Sequence, residues 1–300
     1  MKLGSVGFGA GGVWSSPLLT DEEADRIIST ALALGVRYFD TGPSYGGGSA
    51  EKRLARSLAG QTDVIVSTKV GTHLTARGNL TKDYSRTAIL RSLDSSLLSL
   101  KRQTIDLLLL HGPTRVESLS PDLIETMKGV RDGGAARAIG ASCDGAVAAE
   151  VIRTGVFDAV MMTVNLFTMR AFDLAQRAHE AEMVVIAKSP LAHACFGLRS
   201  MVPTSRRRAW AIARQVRHYR RDMVNGIRLG PTLRTIGSDS AAANALRYVL
   251  GSGVVDTAVV GTTSPEHLAE LVRASSKGNL SVGDRARIDS RLARMKYGAS

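Results

Sequence analysis

The chain has 300 residues, enough for a large core, and 44% apolar with 22% charged residues is the balance of a folded globular protein. No apolar run reaches the roughly 20 residues that span a bilayer. The two cysteines, Cys143 and Cys195, lack CxxC or Cys/His spacing, which argues against a disulfide framework or a zinc site. A net charge of +12 favours anionic ligands.

Along the chain, short β-type apolar runs alternate with helical patterns. The opening MKLGSVGFGAGG has one lysine and no sustained apolar stretch, so no signal peptide is expected and a reduced, cytoplasmic setting is the default. The first strand is predicted at 4–8, followed by a helix from near Asp21. Thr20 with Glu23 three residues on has the spacing of a capping box. A strand at 36–40 precedes a helix from near Ser49, and a strand at 63–68 precedes one from near Ser85. A strand at 105–110 leads to a helix that Ser120-Pro121 opens, with proline at the first helical position. Strands at 137–141, 158–164 and 183–187 alternate with helices from near Gly145 and Arg170. After a long irregular stretch, 188–237, with its own helix over about 207–221, come a helix from near Ser238, a strand at 254–260 and a helix that Ser264-Pro265 opens. One more helix is predicted at 281–295.

Many of these strands are nearly all apolar, as parallel strands buried on both faces should be. Eight strands, each followed by a helix, predict an α/β protein of the (β/α)8 TIM-barrel class. One domain, 1–300, is expected, with a long basic loop or helix after the seventh strand and an extra C-terminal helix. The rival is a doubly wound open sheet. Gly7, Gly9 and Gly12 have the GxGxxG spacing of that fold, but Val13-Trp14-Ser15-Ser16-Pro17 reads as a loop where its helix should start.

A barrel of this kind gathers its chemistry at the carboxyl ends of its strands. In order, those ends carry Asp40, Lys69, His111, Ser142, Asn165 and Lys188. Tyr45 follows Asp40 on a glycine-rich segment, Tyr45-Gly46-Gly47-Gly48. Taken singly, a lysine at a strand end is usually a solvated terminus, and a histidine after four leucines is usually structural. Together on one ring they suit proton transfer to a carbonyl oxygen. A nearby ammonium favours the phenolate form of a tyrosine, and a buried lysine needs a carboxylate such as Asp40 to stay charged. A nicotinamide is the usual hydride source for such a relay.

The segments FDTGPSYGGGSAEKRLARSL, VIVSTKVG, IDLLLLHGP, AIGAS, KSPLA and VVGTTSPEHLAEL, in this order over nearly the whole chain, resemble the aldo-keto reductase family. The resemblance implies a (β/α)8 barrel that reduces carbonyls or oxidises alcohols with NADP(H), with NAD(H) as the alternative. It implies Tyr45 as acid/base, Lys69 tuning it, Asp40 pairing with Lys69, and His111 orienting the substrate. For the cofactor it points to Ser142, Cys143, Met161, Lys188, Ser189, Leu191, Gly261, Thr262, Thr263, His267 and Glu270. Several of these depart from the family pattern. Cys143 stands for an asparagine, Met161 for a glutamine, Val164 for a tyrosine, and Lys188 for the aromatic residue that stacks under the nicotinamide. Lost stacking and amide contacts should weaken binding by on the order of 1 kcal/mol each.

Two readings follow: an active reductase with a rearranged pocket, or a barrel that keeps the four residues but has altered or lost nicotinamide use and binds a phosphorylated ligand or acts without redox chemistry. The first is preferred because an intact proton relay fits redox work. Seven arginines fall between 206 and 221: Arg206, Arg207, Arg208, Arg214, Arg217, Arg220 and Arg221. As a helix this segment is first a solvated surface element, next a clamp for cofactor phosphate or an acidic substrate, and last a nucleic-acid or membrane surface. Trp14, His73 and His193 are the substrate-facing candidates. The partners expected are a small carbonyl compound or sugar, with no nucleic acid, membrane or metal, on a monomer or weak homo-oligomer.

Overall fold

The computed structural model describes residues 2–75, 77–192, 196–197 and 201–297. Its first half contains β1 (Val6–Gly9), α1 (Asp21–Ala33), β2 (Tyr38–Asp40), α2 (Ala50–Ser57), β3 (Ile65–Val70), β4 (Thr72–Leu74), β5 (Leu80–Lys82), α3 (Arg86–Leu100), β6 (Leu107–His111), α4 (Pro121–Asp132), β7 (Ile139–Ser142) and α5 (Gly145–Thr154). The second contains β8 (Ala159–Thr163), α6 (Met169–Glu180), β9 (Val184–Lys188), α7 (Arg206–His218), α8 (Arg220–Arg234), α9 (Ala241–Leu250), β10 (Thr257–Val260), α10 (Pro265–Ser275) and α11 (Val282–Tyr297).

Eight parallel strands close into a barrel in the order β1-β10-β9-β8-β7-β6-β3-β2, the expected (β/α)8 architecture. Side chains alternate across each strand, and this sorts the apolar runs into two cores. In β6, Leu107 and Leu109 point into the barrel with Tyr38, Met161 and Ile186. Leu108 and Leu110 join Phe39, Val66, Val160 and Val185 in the layer under the helices. The same alternation carries upward. Asp40, Lys69, His111, Ser142, Thr163 and Lys188 keep the inward parity at the carboxyl ends of β2, β3, β6, β7, β8 and β9.

The helix starts follow their local chemistry. Thr20 and Glu23 form both bonds of the capping box, Glu23 N to Thr20 Oγ1 at 3.3 Å and Thr20 N to Glu23 Oε2 at 2.9 Å. Ser120 and Ser264 cap α4 and α10 from in front of proline. Such caps are each worth about 1 kcal/mol.

The structure departs from expectation in two places. The stretch after β9 holds two helices, α7 and α8, where one over 207–221 was expected. Gly226, Gly230 and Pro231 disguise α8 as a loop, but Met223, Leu229 and Leu233 are buried and hold it in place. Burial here overrides propensity. An antiparallel hairpin, β4 with β5, stands between β3 and α3; its short polar strands carry no apolar signal.

Candidate active site

The inward parity of β2 and β3 brings Asp40 and Lys69 together. Lys69 is 1% exposed, and its Nζ donates to Asp40 Oδ1 at 2.6 Å, Asp40 Oδ2 at 2.7 Å and the Thr41 carbonyl at 2.7 Å. Ser67 donates to Asp40 Oδ1 at 2.7 Å. Burial disfavours the Lys69 ammonium, but Asp40 and then Tyr45 outweigh it, so its pKa lies above the ordinary lysine value.

Tyr45 begins a 3-10 turn, Tyr45–Gly48. The turn needs glycine at 46, where φ is +58° and a Cβ would come within 2.1 Å of the Ser15 carbonyl oxygen. The Tyr45 ring lies 4.9 Å from Lys69 Nζ and packs edge-on to His111, with centroids 5.6 Å apart at 83°. Four residues from three strands and one turn thus converge.

His111 is neutral. Burial, then Lys69, Lys82 and Lys188, push its pKa down to about 3. Its Nδ1 is buried and has no hydrogen-bond partner among the described residues. Its imidazole resonances are therefore expected not to titrate between about pH 5 and 8. Proton NMR across that range checks this; a midpoint near the ordinary value of 6.5 would contradict the site's electrostatics.

At the ends of β7 and β9, Ser142 Oγ accepts from Lys188 Nζ at 3.4 Å, and Lys188 pairs with Asp144 at 3.0 Å. Asp144 also accepts from Thr163 N at 2.6 Å and Thr163 Oγ1 at 3.2 Å. Asp144 and Thr163 were missed in the sequence. Strand parity could have found Thr163; Asp144 follows a strand end and carried no signal. Met161 registers against Ser142 and is buried in the barrel interior, so a thioether stands beside the hydroxyl. Burial raises the Cys143 thiol to about 12, which leaves it an inert apolar group. Asn165 is spent on the backbone, Nδ2 to the Ser189 carbonyl at 3.3 Å and Oδ1 from Phe167 N at 2.9 Å. Ser189 adopts φ of +52°, and Leu191 packs against both main apolar clusters.

Beyond β10, Gly261 is exposed and Thr262, Thr263, His267 and Glu270 are half-buried. Thr262 Oγ1 lies 3.4 Å from His267 Nδ1 and accepts from Ser264 N at 3.1 Å.

The substrate-facing expectations fare differently. Trp14 is 1% exposed, packed edge-on to Phe8 at 5.9 Å with its indole N–H on the Ala24 carbonyl at 3.4 Å. It is a core residue with no face left for a ligand. His73 sits on the β4–β5 hairpin, half-buried, with Nε2 3.4 Å from the Asp83 carbonyl. His193 lies outside the described residues.

The arginine segment is mainly a surface element. No side chain of α7 is buried. Arg207 turns inward, bonding Glu23 Oε1 and the Leu18 carbonyl, both at 2.6 Å, so it is committed to the protein rather than to a cofactor phosphate. Arg214 reaches within 3.4 Å of a Cβ placed on Gly12, in the loop after β1. Helices α7, α8 and α11 carry 14 of the 39 basic and 3 of the 27 acidic residues, so most of the +12 excess lies on them.

Among the described residues no helix is long and apolar enough to cross a membrane, and no cluster of His, Cys, Asp and Glu has the makings of a metal site.

The sequence profile of the Aldo/keto reductase family matches residues 2–293. An uncharacterized oxidoreductase, YqkF of Bacillus subtilis (strain 168), is 25% identical over 262 residues, 86% of this chain and 84% of that protein. The L-galactose dehydrogenase of Arabidopsis thaliana is 30% identical over 152 residues, 47% of this chain and 44% of that protein. Among solved structures, the holo form of an aldo-keto reductase from Bacillus halodurans superposes with a TM-score of 0.79 at 24% identity, covering 97% of this chain and 95% of that one.

Proposed function

The chain belongs to the aldo/keto reductase family, and on that premise we propose that it is an oxidoreductase that interconverts a carbonyl compound and an alcohol with NADP(H), or NAD(H) in its place. The observation that carries this reading is the buried Lys69, held by both oxygens of Asp40, with Tyr45 and His111 packed beside it.

Members of this family use nicotinamide cofactors, and the donor set suits one. The hydroxyls of Ser142, Thr262 and Thr263 and the cation of Lys188 are donors of the kind that carboxamide and phosphate oxygens need. The platform differs from the aromatic one that the resemblance implied. An ion pair, Lys188 with Asp144, occupies that position. Pairing with Asp144 also tempers the repulsion between Lys188 and an oxidised, cationic nicotinamide. Bound cofactor would supply or accept the hydride.

The chain's own residues handle the proton. In the reducing direction Tyr45 gives its phenolic proton to the substrate oxygen as hydride reaches the carbonyl carbon, which yields the alcohol. The Lys69 ammonium steadies the negative charge left on the phenol, and Asp40 keeps that ammonium charged in a buried place. His111, being neutral, can hydrogen-bond the substrate oxygen without adding a formal charge to the crowd of lysines.

The likeness to L-galactose dehydrogenase covers under half of each chain; with the FDTGPSYG and STKVG motifs it inclines the reading towards small aldehydes and sugars. Calorimetric titration with NADPH and NADH at two salt concentrations tests the proposal. Saturable binding of at least one nucleotide is expected. Binding of neither would overturn the redox reading.

A further inference from the structure

Three lysines surround His111, and two of them have acidic partners. Lys69 is paired with Asp40 and Lys188 with Asp144. Lys82, at the end of β5, has no carboxylate partner among the described residues; its Nζ donates to the carbonyl of Gly112, the residue after His111. Gly112 N in turn donates to the Ser142 carbonyl at 3.0 Å, and the Ser142 hydroxyl meets Lys188. The two ammonium groups therefore flank the His111–Gly112 corner. The hairpin that carries Lys82 is fixed to the same corner, because Thr72 Oγ1 and Tyr84 OH donate to the His111 carbonyl at 2.8 and 3.0 Å. Gly71 makes room for Tyr84: a Cβ there would come within 2.3 Å of its ring.

A carbonyl N···O contact uses one of the three donors of an ammonium and none of its charge. Lys82 is also exposed, so its ammonium is accessible to a ligand. Nδ1 of His111 is buried there without a partner. We infer that the substrate bears an anionic oxygen group, carboxylate or phosphate, and that Lys82 anchors it while the substrate carbonyl lies against Tyr45 and His111. This rests on the proposed redox function for the carbonyl end alone; the anion anchor stands on the lysine geometry. Burial and Lys188 both hold the Lys82 ammonium below its usual range, and the charge of an incoming anion opposes both effects.

The experiment has two arms. In the first, calorimetry measures the binding of oxamate and of inorganic phosphate to the wild-type protein and to Lys82→Gln and Lys82→Arg. Wild type is expected to bind at least one of them, which tells carboxylate from phosphate. Lys82→Gln weakens that binding about tenfold or more, and Lys82→Arg largely restores it. In the second, kcat/KM with NADPH is compared for glyceraldehyde, glyoxylate and glyceraldehyde 3-phosphate. Lys82→Gln is expected to cut the anionic substrate's kcat/KM about tenfold and leave glyceraldehyde within about twofold. Equal losses on neutral and anionic aldehydes would mean that Lys82 only braces the Gly112 loop, and would overturn the inference. So would anion binding that is absent in wild type or unchanged in Lys82→Gln. No turnover of any aldehyde, with anion binding still lost in Lys82→Gln, would sink the redox reading and keep the anchor.

Discussion

Replacing Tyr45 with phenylalanine lowers turnover by about 10²–10⁴-fold and leaves nucleotide binding and thermal stability close to wild type. The substitution removes one oxygen. The ring keeps its edge-on contact with His111 and its place over Gly11 and Gly42. Lys69 keeps its two bonds to Asp40 and its bond to the Thr41 carbonyl. On the proposed mechanism, what goes is the proton that the substrate oxygen receives. No nearby group replaces it. His111 is neutral with a pKa of about 3, so it is a hydrogen-bond partner rather than an acid near neutrality, and Lys69 is held in its charged form by Asp40. Steady-state kinetics on an aldehyde, with fluorescence titration of NADPH beside it, makes the check. Turnover within tenfold of wild type would remove Tyr45 from the role of proton donor. Loss of binding in parallel with turnover would point instead to a disturbed pocket.

The grouping of Asp40, Lys69 and His111 at the strand ends was legible in the sequence because barrel geometry brings those ends together. Side chains alternate across a strand, so a strand's last residue and those two and four positions before it share one face. Four leucines and a histidine with period two put Leu107, Leu109 and His111 on one face. What lies on the loops was less legible. Trp14 reads equally as a ligand platform or a cap, and only the packing of Phe8 and α1 against it decides for the core. Lys188 looks like a stray charge in a nicotinamide pocket until Asp144, 44 positions away in the chain, is seen beside it. The β4–β5 hairpin has short polar strands, so neither apolar period marks it, yet it carries Lys82 to the mouth. α8 contains two glycines and a proline. Gly230 is there because a Cβ would come within 2.0 Å of the Phe196 carbonyl oxygen, a contact that no local pattern reveals.

The Asp40–Lys69 pair answers differently from Tyr45, because it supports both the chemistry and the fold. Asp40→Asn preserves shape and removes the charge, which leaves a buried ammonium with the Thr41 carbonyl and a neutral amide for company. Breaking a buried pair in this way costs about 3–5 kcal/mol. Urea denaturation should register that loss, and activity should fall with it. The pH dependence separates the charge effect from mere misfit. In the native protein the folded-state pKa of Lys69 is raised, so the folded protein binds the proton more tightly than the unfolded chain. The stability this contributes is fully present below the unfolded lysine value of about 10.4 and is lost as pH rises through the folded pKa. In Asp40→Asn, burial acts on Lys69 without its main counterweight, and the folded pKa falls below the unfolded one. The unfolded chain then holds the extra proton, so stability rises with pH over the interval between the two values. Opposite slopes on the alkaline side are therefore expected for wild type and variant. The double change Asp40→Leu with Lys69→Met removes both charges, recovers much of the lost stability and remains inactive. If the double variant were no more stable than Asp40→Asn, the loss would lie in packing or in the Ser67 bond to Asp40, and the buried charge would not be its cause.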